Sequence, residues 1–323
     1  MPHDHALAAK SDFTAKDDGF HTDVMGDRWW MTETAWFSFC APERKLGGWL
    51  YSMFRPNIGV NSGGVWVWDD SAHIPWETRY YRNYTVMPMP QGDLTDTTLR
   101  TGVSIKVLEP LTRYHLGFED EDGRLTVDLE YEAVMAPRAL RKPNSSFKNL
   151  THFDQFMRAR GHIVLDGERI EIDCHAMRDR SWGPRPEHRP GKSAYVSGIA
   201  SPDDCFLCTT KWNDPSGALA YGFQTLDGEL GDIVEGRRIV ERDREHGYVS
   251  KIVIEAKDNL GREMLAEGER LSSITINRHS FIDSNSLIAW SINGKQGHGE
   301  DQDMWPVNVW GDFRRRVRAG GGE

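Results

Sequence analysis

Residues 124–133, RLTVDLEYEA, alternate with a period of two. In an extended chain Leu125, Val127, Leu129 and Tyr131 share one face, and Thr126, Asp128, Glu130 and Glu132 share the other. A helix would scatter these residues around its axis, so the pattern calls for a strand with one buried side. It recurs in HIVLDGERIEID, where Asp166-Gly167 separates two alternating runs and signals a two-residue hairpin turn. Asp122-Gly123 and Asp227-Gly228 mark further turns, and YVSKIVIEAKDNLGREMLAEGE reads as strand, turn, strand. Helical periodicity is scarce; SFKNLTHFDQFMRA, residues 146–159, is the best candidate for a short helix or irregular connector. Repeated short strands with Gly-containing turns predict an all-β sandwich or barrel.

The chain has 323 residues, enough for two barrel-sized units. The proline-containing, basic stretch APRALRKPNSS, residues 136–146, suggests a boundary between them. The expected division is a flexible segment 1–27, a barrel over 28–145, a second barrel over 146–316 and a tail 317–323. The basic run FRRRVRAGGGE reads as a solvated or final-strand tail.

A net charge of −10 argues against a general nucleic-acid binder, which needs clustered cations for phosphate. No apolar run approaches the ~20 residues of a membrane span. The N-terminus lacks a basic region followed by an apolar one, so a cytoplasmic location follows by default. Cys205 and Cys208 form a C-x-x-C inside DCFLCTTKW, which reads as a strand on which they point to opposite faces. With no second pair or nearby histidines to complete a zinc site, they read as buried strand thiols. No phosphate-cradling glycine loop, nucleophile elbow or H-E-x-x-H is present, so no cofactor and no metal are expected.

Twelve tryptophans, seven of them between Trp29 and Trp76, suit either a barrel core or an apolar ligand cavity. The densest chemistry lies in RDRSWGPRP, residues 178–186. Trp182 could stabilise a cation through its ring face, worth ~2 kcal/mol when desolvated. Arg178, Arg180 and Arg185 would depress the pKa of Asp179, making it an anionic orienter rather than a proton donor. The arginines could instead bind a substrate carboxylate. A purely structural Arg–Asp network around a buried indole is the equal alternative.

Two other groups carry acid–base potential, and a third offers ligand contacts. Asp173 and His175 share one face of the preceding strand; they form a pair if that face looks inward and are surface residues if it does not. In HGEDQDMWP, residues 298–306, Glu300, Asp301 and Asp303 crowd beside His298 and Trp305. Close carboxylates raise one another's pKa, so one could donate a proton near neutrality, unless the stretch is simply an exposed acidic turn. His152 and Asp154, in HFDQF, could line a ligand cleft or cap a short helix.

The segment HFDQFMRARGHIVLDGERIEIDCHAMRDRSWGPRP resembles the signature of the AttH-like, carotenoid-hydratase-like superfamily. TETAWFSFCAPERKLGGWLYSMFRPNIG and GHGEDQDMWP resemble its early and late blocks, so the likeness covers most of residues 28–310. It implies two consecutive lipocalin-like antiparallel β-barrels packed together, and cofactor-independent proton chemistry on a greasy small molecule. Hydratase-type members carry D-H-x-W-G; here Asp179, Ser181, Trp182 and Gly183 match, while Arg180 stands at the histidine position. The resulting expectation is a hydratase, lyase, isomerase or cyclase acting on a terpenoid, prenylated aromatic or steroid-like substrate. Catalysis is expected from Asp301, Glu300, Asp179 and His298. Substrate contacts are expected from Trp182, Trp305, Arg178, Arg180, Arg185, His152, Asp154, Asp173 and His175. A non-catalytic carrier or sensor of apolar ligands is the rival, since fold does not dictate function. A homodimer through the Trp-rich N-terminal block is a third expectation.

Overall fold

A computed structural model describes residues 12–23, 26–140, 151–185, 191–278 and 281–320. The chain divides into two compact units: Met1–Ala41 with Gly47–Val67 and Arg79–Pro186, and Pro42–Leu46 with Trp68–Thr78 and Glu187–Glu323.

The strands of the first sheet are β1 (Met31–Ala41), β2 (Leu46–Arg55), β3 (Val60–Trp68), β4 (Tyr80–Pro88), β5 (Asp96–Thr98) and β6 (Val103–Glu109). They continue with β7 (Arg113–Glu119), β8 (Leu125–Ala133), β9 (Arg138–Ala139), β10 (Thr151–Leu165) and β11 (Glu168–Pro184). The order β4-β3-β2-β1-β11-β10-β8-β7-β6-β5, with β9 beside β10, is a strongly curled sheet that stays open at β4 and β5. Two meanders therefore meet where β1 pairs with β11, and the RDRSWG motif lies on that central strand.

The second unit contains β12 (Ser193–Ser201), β13 (Asp204–Thr210), β14 (Leu219–Leu226), β15 (Glu229–Arg242), β16 (Val249–Asp258), β17 (Glu263–Arg278), β18 (Phe281–Ile292) and β19 (Lys295–Pro306). Each strand pairs with the next, and β19 returns to β12, which closes an eight-stranded antiparallel barrel. Its interior is apolar around Val196, Phe206, Ile252, Ile254, Ile288 and Trp290. Helix α1 (Val307–Arg318) follows β19.

The all-β, lipocalin-like reading holds, with one sheet left open rather than closed. The hairpin signals hold too: Asp166 and Gly167 connect Leu165 to its partner Glu168 with φ of 51° and 85°. Both angles are left-handed, as a two-residue turn matching the strand twist requires.

Four expectations change. The first unit runs on to Pro186, past the expected boundary at 145, because β10 and β11 hydrogen-bond to β8 and β1. Residues 146–150 lie outside the described residues, and the rest of the expected helix is strand β10. Its residues Phe153 to Met157 are all buried, so both faces of the strand are covered and the alternation disappears. The described part of the N-terminal segment is not loose: Ala15–Asp18 form a 3₁₀ turn, and Phe13 and Asp18 are buried. The basic C-terminal run belongs largely to α1, where Trp310 and Phe313, one helical turn apart, pack on Trp305. Arg315, Arg316 and Arg318 fall in its last turn, where cations complement the helix dipole. No helix among the described residues is long and apolar enough to cross a membrane.

Candidate functional site

Strand alternation divides the central motif between two faces of the first sheet. Arg178, Arg180 and Trp182 point one way, and Asp179 and Ser181 point the other. On the first face Arg178 donates to the Gln155 carbonyl oxygen at 2.9 Å, to the Tyr114 hydroxyl at 2.5 Å and to the Asp18 carboxylate. Asp18 also accepts from the Tyr114 hydroxyl at 2.9 Å and the Leu111 N–H at 2.7 Å. Arg180 donates to Glu33 at 3.1 Å and to the Gly19 and Thr34 carbonyls at 2.6 and 2.9 Å.

The Trp182 ring is also occupied. His21 stacks on it with centroids 3.7 Å apart and planes 5° from parallel, and Phe13 and Phe153 meet it edge-on. His21 in turn lies at 3.1 Å from Glu33 and 3.2 Å from Asp17. Contrary to the expected substrate contacts, Arg178, Arg180 and Trp182 thus make internal contacts, tying residues 13–21 to the sheet. A buried charge needs such a partner.

The opposite face gathers different chemistry. β10 pairs with β11 so that Asp154 stands across from Asp179 and His152 across from Ser181. Directly opposed residues share a face. His152 Nε2 lies 2.7 Å from Asp154 Oδ1, and one donor atom from each of His152, Asp154 and Asp179 falls within 4.8 Å of the others. Asp154 is buried, whereas His152 and Asp179 are partly exposed. Burial by itself would lower the His152 pKa, but Asp154 and Asp179 outweigh it and hold the imidazole above its ordinary value, with Arg185 opposing them. Arg185 Nη2 donates to Ser181 Oγ at 2.8 Å, and Ser181 shares a 2.7 Å hydrogen bond with Thr34.

His152, Asp154 and Asp179 are also the described residues able to hold a metal ion. The 2.7 Å contact is a hydrogen-bond length and joins His152 to Asp154.

The acidic stretch 298–305 is split in the same way. Asp301 and Asp303 pair with Val196 and Ala194, residues of the barrel interior, and so point inward. Arg238 grips Asp301 with two hydrogen bonds of 2.9 and 2.7 Å, and Arg242 donates to Asp303 at 2.7 Å. Burial pushes the Asp301 carboxyl up while Arg238 opposes it. For Asp303 burial acts in the same sense, but Arg242 and Arg238 overcome it and hold the carboxyl below the usual range. Glu300 and His298 occupy the other face, where Glu300 accepts from Asn285 at 3.0 Å. The expected crowding of three carboxylates therefore does not form: alternation removes Glu300, and two arginines separate the charges of the other pair.

Trp305 donates to Asp303 at 2.8 Å, stacks on Phe313 with centroids 4.9 Å apart, and carries the Lys192 ammonium 3.7 Å above its ring. These internal contacts take the place of the expected substrate contact.

Asp173 is exposed and accepts from Arg158 at 2.6 Å, which lowers its pKa; His175 is half-buried, and burial followed by Arg158 lowers its own. They do not form an acid–base pair. Cys205 and Cys208 are buried on β13, and burial pushes the Cys205 thiol up to about 12. The partners that decide these environments, Asp18, His21, Glu33, Arg238 and Arg242, carry no local signal in the sequence. Each acts across a large separation, 160 residues for Asp18 and Arg178.

No curated protein matches the sequence. Among solved structures, the protein assigned as AttH from Nitrosomonas europaea is similar with a TM-score of 0.58 at 14% identity, over 91% of this chain and 97% of that one. Kievitone hydratase from Nectria haematococca matches with a TM-score of 0.54 at 10% identity, over 88% and 95% of the two chains. CghA, solved with Sch210972, matches with a TM-score of 0.56 at 11% identity, over 87% and 92%. At these identities the likeness establishes the AttH-like fold. The sequence itself matches a family over residues 14–305, and on that match the chain belongs to the family described as Domain of unknown function (DUF7064).

Proposed function

We propose that this chain is an enzyme that moves a proton on an apolar small molecule, in the hydratase, lyase, isomerase or cyclase class. The observation that carries the reading is the 2.7 Å contact of His152 with buried Asp154, beside Asp179 on the neighbouring strand. Asp154 orients the ring and stabilises the imidazolium, as a buried carboxylate does for a general acid–base histidine. His152 gives its proton to a double bond or masked carbonyl. In a hydration, Asp179 takes a proton from the attacking water as the C–O bond forms. That proton returns to His152, so the sum is addition of H and OH. In an isomerisation Asp179 takes the proton from a carbon instead. Asp301 has no part in these steps, because Arg238 occupies both of its oxygens. One structural neighbour is a hydratase by name, which supports the class.

The test is incubation with an apolar metabolite extract in heavy water, read by mass spectrometry. Wild-type protein is expected to place one solvent deuterium on a metabolite, Asp301→Asn to retain this, and His152→Ala to abolish it. Ligand recovered bound but unlabelled would mean a carrier and overturn the proposal.

A further inference from the structure

Two of the three motif arginines are neutralised where they stand, Arg178 by Asp18 and Arg180 by Glu33. Arg185 is not. It is half-buried, and among the described residues no carboxylate lies within ion-pair distance of it. Its backbone N–H is used by the Trp30 carbonyl at 3.0 Å, and its guanidinium makes one described hydrogen bond, to Ser181 Oγ. A guanidinium carries five donors in a planar fork that matches a carboxylate.

The position of that fork is set by the sheet. Ser181 is held from one side by Thr34, its partner on β1, and faces His152, its partner on β10. Arg185 therefore presents, next to the histidine of the proposed reaction, donors that no other described residue takes up. From this geometry we infer that Arg185 is the anion-recognition residue of the site, and that the substrate is an apolar carboxylic acid.

The inference rests on the proton-transfer reading and narrows its substrate. Local charge is compatible with it. Asp154 and Asp179 act on His152 from one side and Arg185 opposes them from the other, so a cation stands beside the two carboxylates where an anion would arrive. Binding there would place the substrate's carboxylate on Arg185 and its apolar body across the histidine, with no change in bonding at Arg185 itself.

The experiment compares acids with alcohols of the same skeleton, cinnamate with cinnamyl alcohol and geranate with geraniol, by isothermal titration of the full chain. One charge-assisted hydrogen-bond pair predicts that wild-type protein binds the acids at least about tenfold tighter. Arg185→Gln should erase that preference, and Arg185→Lys should retain part of it. His152→Ala should keep the preference while losing deuterium transfer, which separates failure of this inference from failure of the proton-transfer reading. Added salt should weaken acid binding and leave alcohol binding unchanged, a readout that needs no variant. Equal affinity for acid and alcohol, no acid binding at all, or an undiminished preference in Arg185→Gln would overturn the inference.

Discussion

His152 and Asp154 sit two residues apart on one strand with their side chains 2.7 Å from each other, and the carboxylate is the buried member of the pair. Residues at that spacing share a face, so β10 itself builds the contact and β11 adds Asp179 across from it.

The first prediction concerns pH. The folded His152 pKa is raised above its ordinary value, once the opposing effect of burial is overcome by Asp154 and Asp179. A raised value means that the folded state holds the proton more tightly than the unfolded chain. The stabilisation is therefore complete below the unfolded pKa of about 6.5 and is lost as pH rises through the higher folded value. Urea unfolding of wild type and Asp154→Asn should show a larger gap at about pH 5.5 than at about pH 9.

The second concerns Asp301. Its removal would leave the Arg238 guanidinium buried with Asp303, 3.3 Å away, as its remaining acidic neighbour. Asp301→Ala is expected to cost about 3–5 kcal/mol of stability, the range for breaking a buried pair. Denaturant titration measures this. An unaltered midpoint would show that the pair is not the strut described here.

The third concerns the N-terminal segment. Asp18 is the carboxylate that satisfies Arg178, Tyr114 and the Leu111 N–H together. Asp18→Ala should destabilise the first unit by about 3–5 kcal/mol, again because it strands a buried guanidinium. Limited proteolysis should then cut near residues 12–23, where wild-type protein resists.

Much of the fold could be read from the sequence because it depends on local pattern. The alternation of Leu125 to Tyr131 and the Asp166-Gly167 turn both describe contacts within a few residues, and both appear as expected. The motif at 178–185 was visible as a concentration of charge, but its meaning depends on register. Whether Arg180 meets substrate or Glu33 is decided by which strand lies beside β11 and by where residues 13–21 run. β10 misled for a related reason: a strand at the centre of a sheet is buried on both sides, so Phe153, Phe156 and Met157 lose the period of two. His152 and Asp154 stood out only as cleft-lining or helix-capping candidates; their contact required the segment to be a strand, and their juxtaposition with Asp179 required the β10–β11 alignment. Glu300, Asp301 and Asp303 looked crowded in one dimension; in three the pleat turns Glu300 away, and Arg238 and Arg242 pair with the two that remain on one face.

The fourth prediction concerns the thiols. All four cysteines are buried and none is in a disulfide, and burial pushes the Cys205 thiol up to about 12. The thiolate is the reactive form, so Cys205 and Cys208 of the native protein should react slowly with a disulfide reagent such as dithiobis-nitrobenzoate. Four thiols should appear when it is unfolded. Rapid native reaction of the C-x-x-C pair would contradict the packing of β13.

The central claim is that Asp154 keeps His152 charged as a proton donor, and its direct measurement is a nitrogen-15 NMR titration of the His152 ring. The account predicts a midpoint above the ordinary histidine value of about 6.5 in wild-type protein and a clear fall in Asp154→Asn. A wild-type midpoint at or below that value, or one that Asp154→Asn leaves in place, would contradict it.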